Sequence, residues 1–158
     1  MSHRPPPAGW PQLSPALVYR RPVEAIDFLC RAFGFEVRLK VEGEPGQIVH
    51  AELTYGQALV MITGEGVRDG DDASQASWRR LQASPLSLEG RHTQSLCLFV
   101  DDADAHCAQA RAAGATVISE PATHDYGDDY WADRSYGAND LEGHSWWFSH
   151  RVRDEPAR

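Results

Sequence analysis

In the run Ile48-Val49-His50-Ala51-Glu52-Leu53 an imidazole and a carboxylate stand two residues apart. In an extended chain that spacing puts both on one side of a strand, with Val49, Ala51 and Leu53 on the other. Neighbouring His and carboxylate groups tune each other's proton affinity, which suits acid–base work or the anchoring of a polar ligand. A solvated strand face, or a pair bonded to Arg134, accounts for the same pattern. A second concentration of chemistry follows Tyr130, where Trp131, Arg134, Tyr136, Trp146 and Trp147 crowd one short stretch. An Arg on a strand between aromatics can hold a carboxylate or phosphate by two parallel hydrogen bonds. The alternative is an ion pair with Asp133, Glu52 or Asp140 that holds a hairpin. Alternation sets Arg134 beside Tyr136, and either can share a face with Trp147. Tyr126, Tyr130 and Trp131, around Gly127-Asp128-Asp129, either rim a cavity or form a dimer seam.

His144 follows a turn glycine and is read as structural, on the side of Trp146 and Phe148. His92, His106 and His124 fall in loop or helix-surface contexts. The sequence has no Ser-His-Asp order, phosphate loop or Gly-x-Gly-x-x-Gly motif, so hydrolysis by a nucleophilic serine and nucleotide binding have no support.

These residues must be carried by one compact domain or two half-size modules, since the chain has 158 residues, of which 42% are hydrophobic. A net charge of -8 argues against nucleic acid, whose phosphates need a basic surface. Cys30, Cys97 and Cys107 form no CxxC pair, and with no apolar signal segment a reducing cytoplasm is the expected compartment. No apolar run is long enough to span a membrane.

Ala16 to Tyr19 reads as a strand, and Pro22 opens a helix whose Ala25, Ile26, Leu29, Cys30 and Phe33 make one buried stripe ending at Gly34. Phe35 to Val41 alternates as a half-buried strand, and two more strands follow at Ile48 to Tyr55 and Ala58 to Thr63. The plan recurs in order. Ser95 to Val100 is a strand, and a helix with Ala105, Ala108, Ala112 and Ala113 stops at Gly114. Strands follow at Ala115 to Ser119, Tyr130 to Ala138 and Ser145 to Ser149. A duplicated βαβββ unit is the expected architecture. The expected divisions are a flexible leader at 1–13, a first module at 14–63, an inter-module loop at 64–93, a second module at 94–150 and a tail at 151–158. The loop is either a lid or a linker, with a short helix between Ala73 and Ala83.

The twice-used unit, with Ala25-Ile26-Asp27-Phe28-Leu29 leading to Phe33-Gly34-Phe35, resembles the vicinal oxygen chelate superfamily of glyoxalases, bleomycin-resistance proteins and extradiol dioxygenases. The closing run Asp133-Arg134…Asp140-Leu141-Glu142-Gly143-His144-Ser145-Trp146 is similar to that superfamily's last hairpin, with Leu141 in place of its usual proline. The resemblance implies an α+β fold in which two βαβββ modules form a half-open mixed β-sheet cup. It also implies a divalent metal held from the first and last strands of each module. At those positions stand Ser14 or Ala16, Leu59 or Met61, Ser95 or Cys97, and Ser145 or Trp147. None is His, Glu or Asp, so no metal or other cofactor is expected.

The leading expectation is therefore a metal-independent, homodimeric small-molecule-binding protein. It would sequester an antibiotic or aromatic metabolite with His50, Glu52, Met61, Cys97, Tyr130, Trp131, Arg134, Tyr136 and Trp147. The alternative is a lyase, isomerase or dioxygenase whose metal uses off-pattern ligands such as His50 and Glu52. A structural or regulatory dimer with a filled cavity is the third.

Overall fold

The computed structural model describes residues 4–155, so the extreme ends of the expected leader (1–3) and tail (156–158) lie outside the described residues. Strand β1 (Ala16–Tyr19) leads to helix α1 (Pro22–Phe33), then β2 (Glu36–Glu42), β3 (Ile48–Tyr55) and β4 (Ala58–Gly64). After a short helix α2 (Ala73–Arg79), β5 (Ser95–Phe99) leads to α3 (Ala103–Ala112), β6 (Thr116–Asp125), β7 (Ala132–Asn139) and β8 (Ser145–Arg153). The two sheets have equivalent orders, β1-β4-β3-β2 and β5-β8-β7-β6, with the first strand of each parallel to the last and the other pairs antiparallel. This is the βαβββ unit used twice in an α+β fold.

Helix α1 forms where its apolar spacing allows. It buries Ala25, Ile26, Phe28, Leu29, Ala32 and Phe33, and Gly34 closes it at φ +74°, a conformation that costs glycine little. Helix α3 buries a different stripe from the alanines singled out above: Ala103, His106, Cys107 and Ala110 face inward, while Ala105 and Ala108 are exposed. Alanine is small enough to sit on either face of a helix, so the alanines alone do not mark the packed side.

Both sheets and both long helices share one core. Phe33 packs 4.7 Å from Phe148 and 5.5 Å from Trp146, ring centre to ring centre, and Phe35 lies 5.6 Å from Trp146. His106 lies inside it rather than on the helix surface, its Nδ1 2.6 Å from the Tyr136 hydroxyl and its Nε2 3.2 Å from the Phe33 carbonyl.

Three edges of the fold differ from expectation. Strand β2 is exposed along its whole length, Val37, Leu39 and Val41 included, because it is the outer strand of its sheet and is kinked by two register shifts. One of these shifts turns Ile48 into the core and leaves Val49 exposed. Strand β8 runs on to Arg153, so Arg151 and Arg153 are strand residues rather than tail.

Candidate functional site

Residues directly opposite one another in a ladder share a face, and this assigns every candidate side chain. In the first sheet Ala16 pairs with Met61, and Met61 with Glu52. The equivalent row in the second sheet is Cys97, Trp147 and Gly137. Each row lies on the side of its sheet turned away from the helices, because the neighbours Leu17, Ile62, Leu53, Trp146 and Ala138 are core residues.

On the open face of the first sheet the expected pair is present. His50 Nε2 lies 3.0 Å from Glu52 Oε1, and Arg38 donates to the other carboxylate oxygen. Glu52 is only 4% exposed. The hydrogen bond from His50 holds its carboxyl below the usual carboxylate range, with Arg38 acting in the same direction and burial opposing. The partner is thus Arg38, which the register shift between Val37 and Leu39 swings onto this face, and not Arg134. The leader reaches the same place: the Trp10 ring lies 5.7 Å from the Arg38 guanidinium carbon.

On the open face of the second sheet Trp147 stands directly opposite Gly137, and its indole reaches over it. Its Cη2 is 3.3 Å from where a Cβ on Gly137 would stand, and Ile118 Cγ1 is 3.1 Å from the same point. Phe99 and Ile118 are about half exposed, and Cys97 is also exposed. At one end of this face Arg151 pairs with Asp133 Oδ1 at 2.5 Å, its guanidinium carbon 5.3 Å from the Trp131 ring and 5.7 Å from Phe99. Trp131 therefore borders the open face, while Tyr130 stacks edge-on to it at 6.2 Å and is half exposed.

Two expected site residues are elsewhere. Since Gly137 is the residue opposite Trp147, Tyr136 and Arg134, one and three residues before it, point to the helix side. Tyr136 is fully buried against His106, and burial pushes its hydroxyl pKa far above the ordinary tyrosine value. Arg134 makes a two-point ion pair with Asp104 of α3. Relative to Trp147, β7 is one residue out of the expected parity, which puts Arg134 and Tyr136 on the opposite side of the sheet. No hydrogen bond, ion pair or ring contact among the described residues joins His50, Glu52 or Met61 to Cys97 or Trp147. A separate groove of about 370 Å³ on the seam between the modules takes Cys97 with Leu13, Pro15, Leu59, Leu96 and Trp146.

The hairpin turn between β7 and β8 is a latch that the sequence reading missed. Glu142, 3% exposed, accepts the backbone N–H groups of Arg20 and Arg21 at 2.7 and 2.8 Å and the Ser84 hydroxyl. Helix α1 has no side-chain cap of its own, so this carboxylate sits where the helix leaves N–H groups unmet. Asp140 Oδ1 accepts the N–H groups of Glu142, Gly143 and His144, and its Oδ2 accepts from Tyr19 and Trp146. His144 Nε2 lies 3.0 Å from the Val18 carbonyl, the structural role expected of it. The missing N-cap in Tyr19-Arg20-Arg21-Pro22 was the available signal.

The donor chemistry of the two central rows does not fit a divalent metal of the superfamily's kind. Ala16, Met61, Cys97 and Trp147 offer one thioether and one thiol, and the one carboxylate of these rows, Glu52, is engaged by His50 and Arg38, where such an ion needs oxygen, nitrogen or thiolate ligands converging on a point. No group of three His, Cys, Asp or Glu side chains suited to an ion occurs among the described residues.

Residues 13–148 match the sequence model of the Glyoxalase/Bleomycin resistance protein/Dioxygenase superfamily. An uncharacterized protein of Mycobacterium bovis is 33% identical over 144 residues, 91% of this chain and 86% of that protein. Among solved structures, TioX from Micromonospora sp. ML1 superposes with a TM-score of 0.63 at 28% identity, covering 89% of this chain and 95% of TioX. Lactoylglutathione lyase from Agrobacterium tumefaciens shares the fold, with a TM-score of 0.55 at 19% identity over 93% of this chain and 96% of its own.

Proposed function

Because the chain belongs to the glyoxalase/bleomycin resistance protein/dioxygenase superfamily, we propose that it is a metal-independent small-molecule-binding protein of that group. Its ligand is a flat, partly aromatic compound that stacks on the open face of the second sheet. The observation that carries this reading is Trp147. It occupies the row where the superfamily resemblance implies a metal ligand, and its indole reaches Gly137 beside exposed Phe99 and Ile118. An apolar floor with a few charged groups at one edge, here Asp133 and Arg151, is the usual composition of a small-molecule site. An open face is half a pocket, and a second copy of the chain supplies the other half in this reading, as a homodimer working in the cytoplasm.

The alternative of a metal enzyme using His50 and Glu52 lacks support in the donor set, since both Glu52 oxygens are already engaged by His50 and Arg38. Titration of intrinsic tryptophan fluorescence with cationic glycopeptides and polyaromatic compounds tests the proposal. Quenching that saturates and is lost in Trp147→Ala supports it. Absence of quenching at high micromolar concentrations across the panel overturns it.

A further inference from the structure

The open face of the first sheet is partly covered by its own chain, and that of the second is not. Leu59 stands two residues before Met61 on β4, so it points to the open side, and Thr54 pairs with it across the ladder. Yet Leu59 is only 2% exposed, although it lies outside the shared core. Its cover is the segment before β1, since Pro11, Leu13 and Pro15 border the same groove as Leu59. Further back along the chain, the Trp10 ring lies 5.7 Å from the Arg38 guanidinium carbon, and a Cβ on Gly9 would stand 3.6 Å from Arg38 Nη2. The leader thus crosses one end of the sheet, from β1 to the outer strand β2. Phe99 and Ile118, on the second sheet's open face, stay half exposed.

This cover is held at its two ends and hardly at all between them. At one end the Pro15 carbonyl accepts the Met61 N–H at 2.8 Å, which extends the β1–β4 ladder. At the other, a turn closed from Trp10 N–H to the Pro7 carbonyl, with Gly9 at φ +78°, presents the indole to Arg38. Among the described residues no backbone hydrogen bond ties residues 11–14 to the sheet. The Ser14 hydroxyl is buried without a partner, so lifting the segment restores a hydrogen bond to water. A cavity of about 360 Å³ lies between Trp10 and Pro11 on one side and Thr54 and Gln57 on the other. A segment that spans a void has few contacts to lose on leaving.

We propose that residues 4–14 are a hinged strap that gates the open face of the first sheet, pivoting before Pro15 and catching on Arg38 through Trp10. Closed, it covers Leu59 and backs the Arg38–Glu52 ion pair with an indole. Lifted, it frees the face to form the half of the pocket that a second copy supplies. Only molecules with the strap lifted then bind ligand fully, so closure weakens the apparent affinity by the lifted fraction. The strap itself stands apart from the proposed function, and its effect on affinity rests on that reading, with the first sheet as the second copy's contribution.

The full-length protein, labelled with 5-fluorotryptophan, is followed by fluorine NMR. The chain has five tryptophans, and the Trp10 signal is the one lost in Trp10→Phe. Arg38→Gln removes the cation and keeps a donor for Glu52. It should lower the closed-to-lifted ratio by about two- to fivefold, the worth of a part-exposed cation–π contact, and move the Trp10 signal toward free fluorotryptophan. The other four signals should stay in place, which establishes that the variant has folded. A Trp10 signal already at the free position in the unmutated protein, or one unmoved in Arg38→Gln, overturns the strap.

The second measurement is the affinity of a polyaromatic compound that saturates quenching. Trp10→Ala should bind it about two- to fivefold more tightly, since the same contact is lost. Equal or weaker binding overturns the gate and leaves the broader reading standing. If no compound of the panel binds, the broader reading falls, and the fluorine signals alone decide the strap.

Discussion

Gly137 stands directly across the β7–β8 ladder from Trp147, and the indole lies 3.3 Å from the point a Cβ there would occupy. The glycine is needed for the room it leaves, since its φ is not positive and its backbone would accept other residues. Gly137→Ala should therefore lift or tilt the indole and press on Ile118, costing about 1–2 kcal/mol as an overpacked contact does. A lowered denaturation midpoint, a shifted tryptophan emission maximum and weakened aromatic binding are the expected results. Unchanged emission would mean that the ring has another place to lie.

Glu142 joins the second module to the start of α1. Glu142→Ala leaves the Arg20 and Arg21 N–H groups and the Ser84 hydroxyl without their acceptor. Stranding buried polar groups costs about 1–3 kcal/mol each, less where water reaches them, so a loss of roughly 3 kcal/mol is expected in urea denaturation. Glu142→Gln keeps an acceptor oxygen and should recover part of it.

His106 makes stability depend on pH. Burial lowers its proton affinity below that of an ordinary histidine, with the Phe33 carbonyl opposing. A group with a depressed folded pKa of this cationic type favours the folded state while neutral. Its contribution is complete above about pH 6.5, where the unfolded histidine titrates, and is lost as pH falls through that value toward the lower folded one. Urea midpoints measured across this range should fall with pH, and His106→Gln should flatten the slope while lowering the plateau.

Arg134 should matter little to binding. Its ion pair with Asp104 lies at the surface on the helix side, where screening leaves little net stabilisation. Arg134→Ala is expected to leave ligand quenching unchanged and to move the melting temperature only slightly. A lost ligand response would place this side chain at the site after all.

The fold was legible because periodicity and punctuation agreed. The α1 stripe ends at a glycine that does adopt the left-handed conformation, and the second unit repeats the order of elements. The His50–Glu52 pair was legible for the same reason, since alternation alone puts them on one face. What failed was relative parity. Arg134, Tyr136 and Trp147 lie on two strands, and only the ladder register says which residues stand opposite. The burial of His106 is hidden in the sequence because alanines stand on every face of α3, so the stripe of Ala103, Cys107 and Ala110 does not stand out. Arg38 was unreadable in principle, since the register shift that turns it toward Glu52 belongs to the pairing of two strands and not to either alone.

The carboxylate that completes the start of α1 lies 121 positions further along the chain than the N–H it accepts. A chain emerging from the ribosome makes the helix early and its cap almost last. Domains ordinarily fold in the order in which they are synthesised, but here the first unit waits for the last hairpin before its entry turn is fixed. The two halves share one plan, and the last hairpin of the second holds the entry turn of the first. A cut between them would give two fragments, the earlier one lacking the contact that closes its first helix.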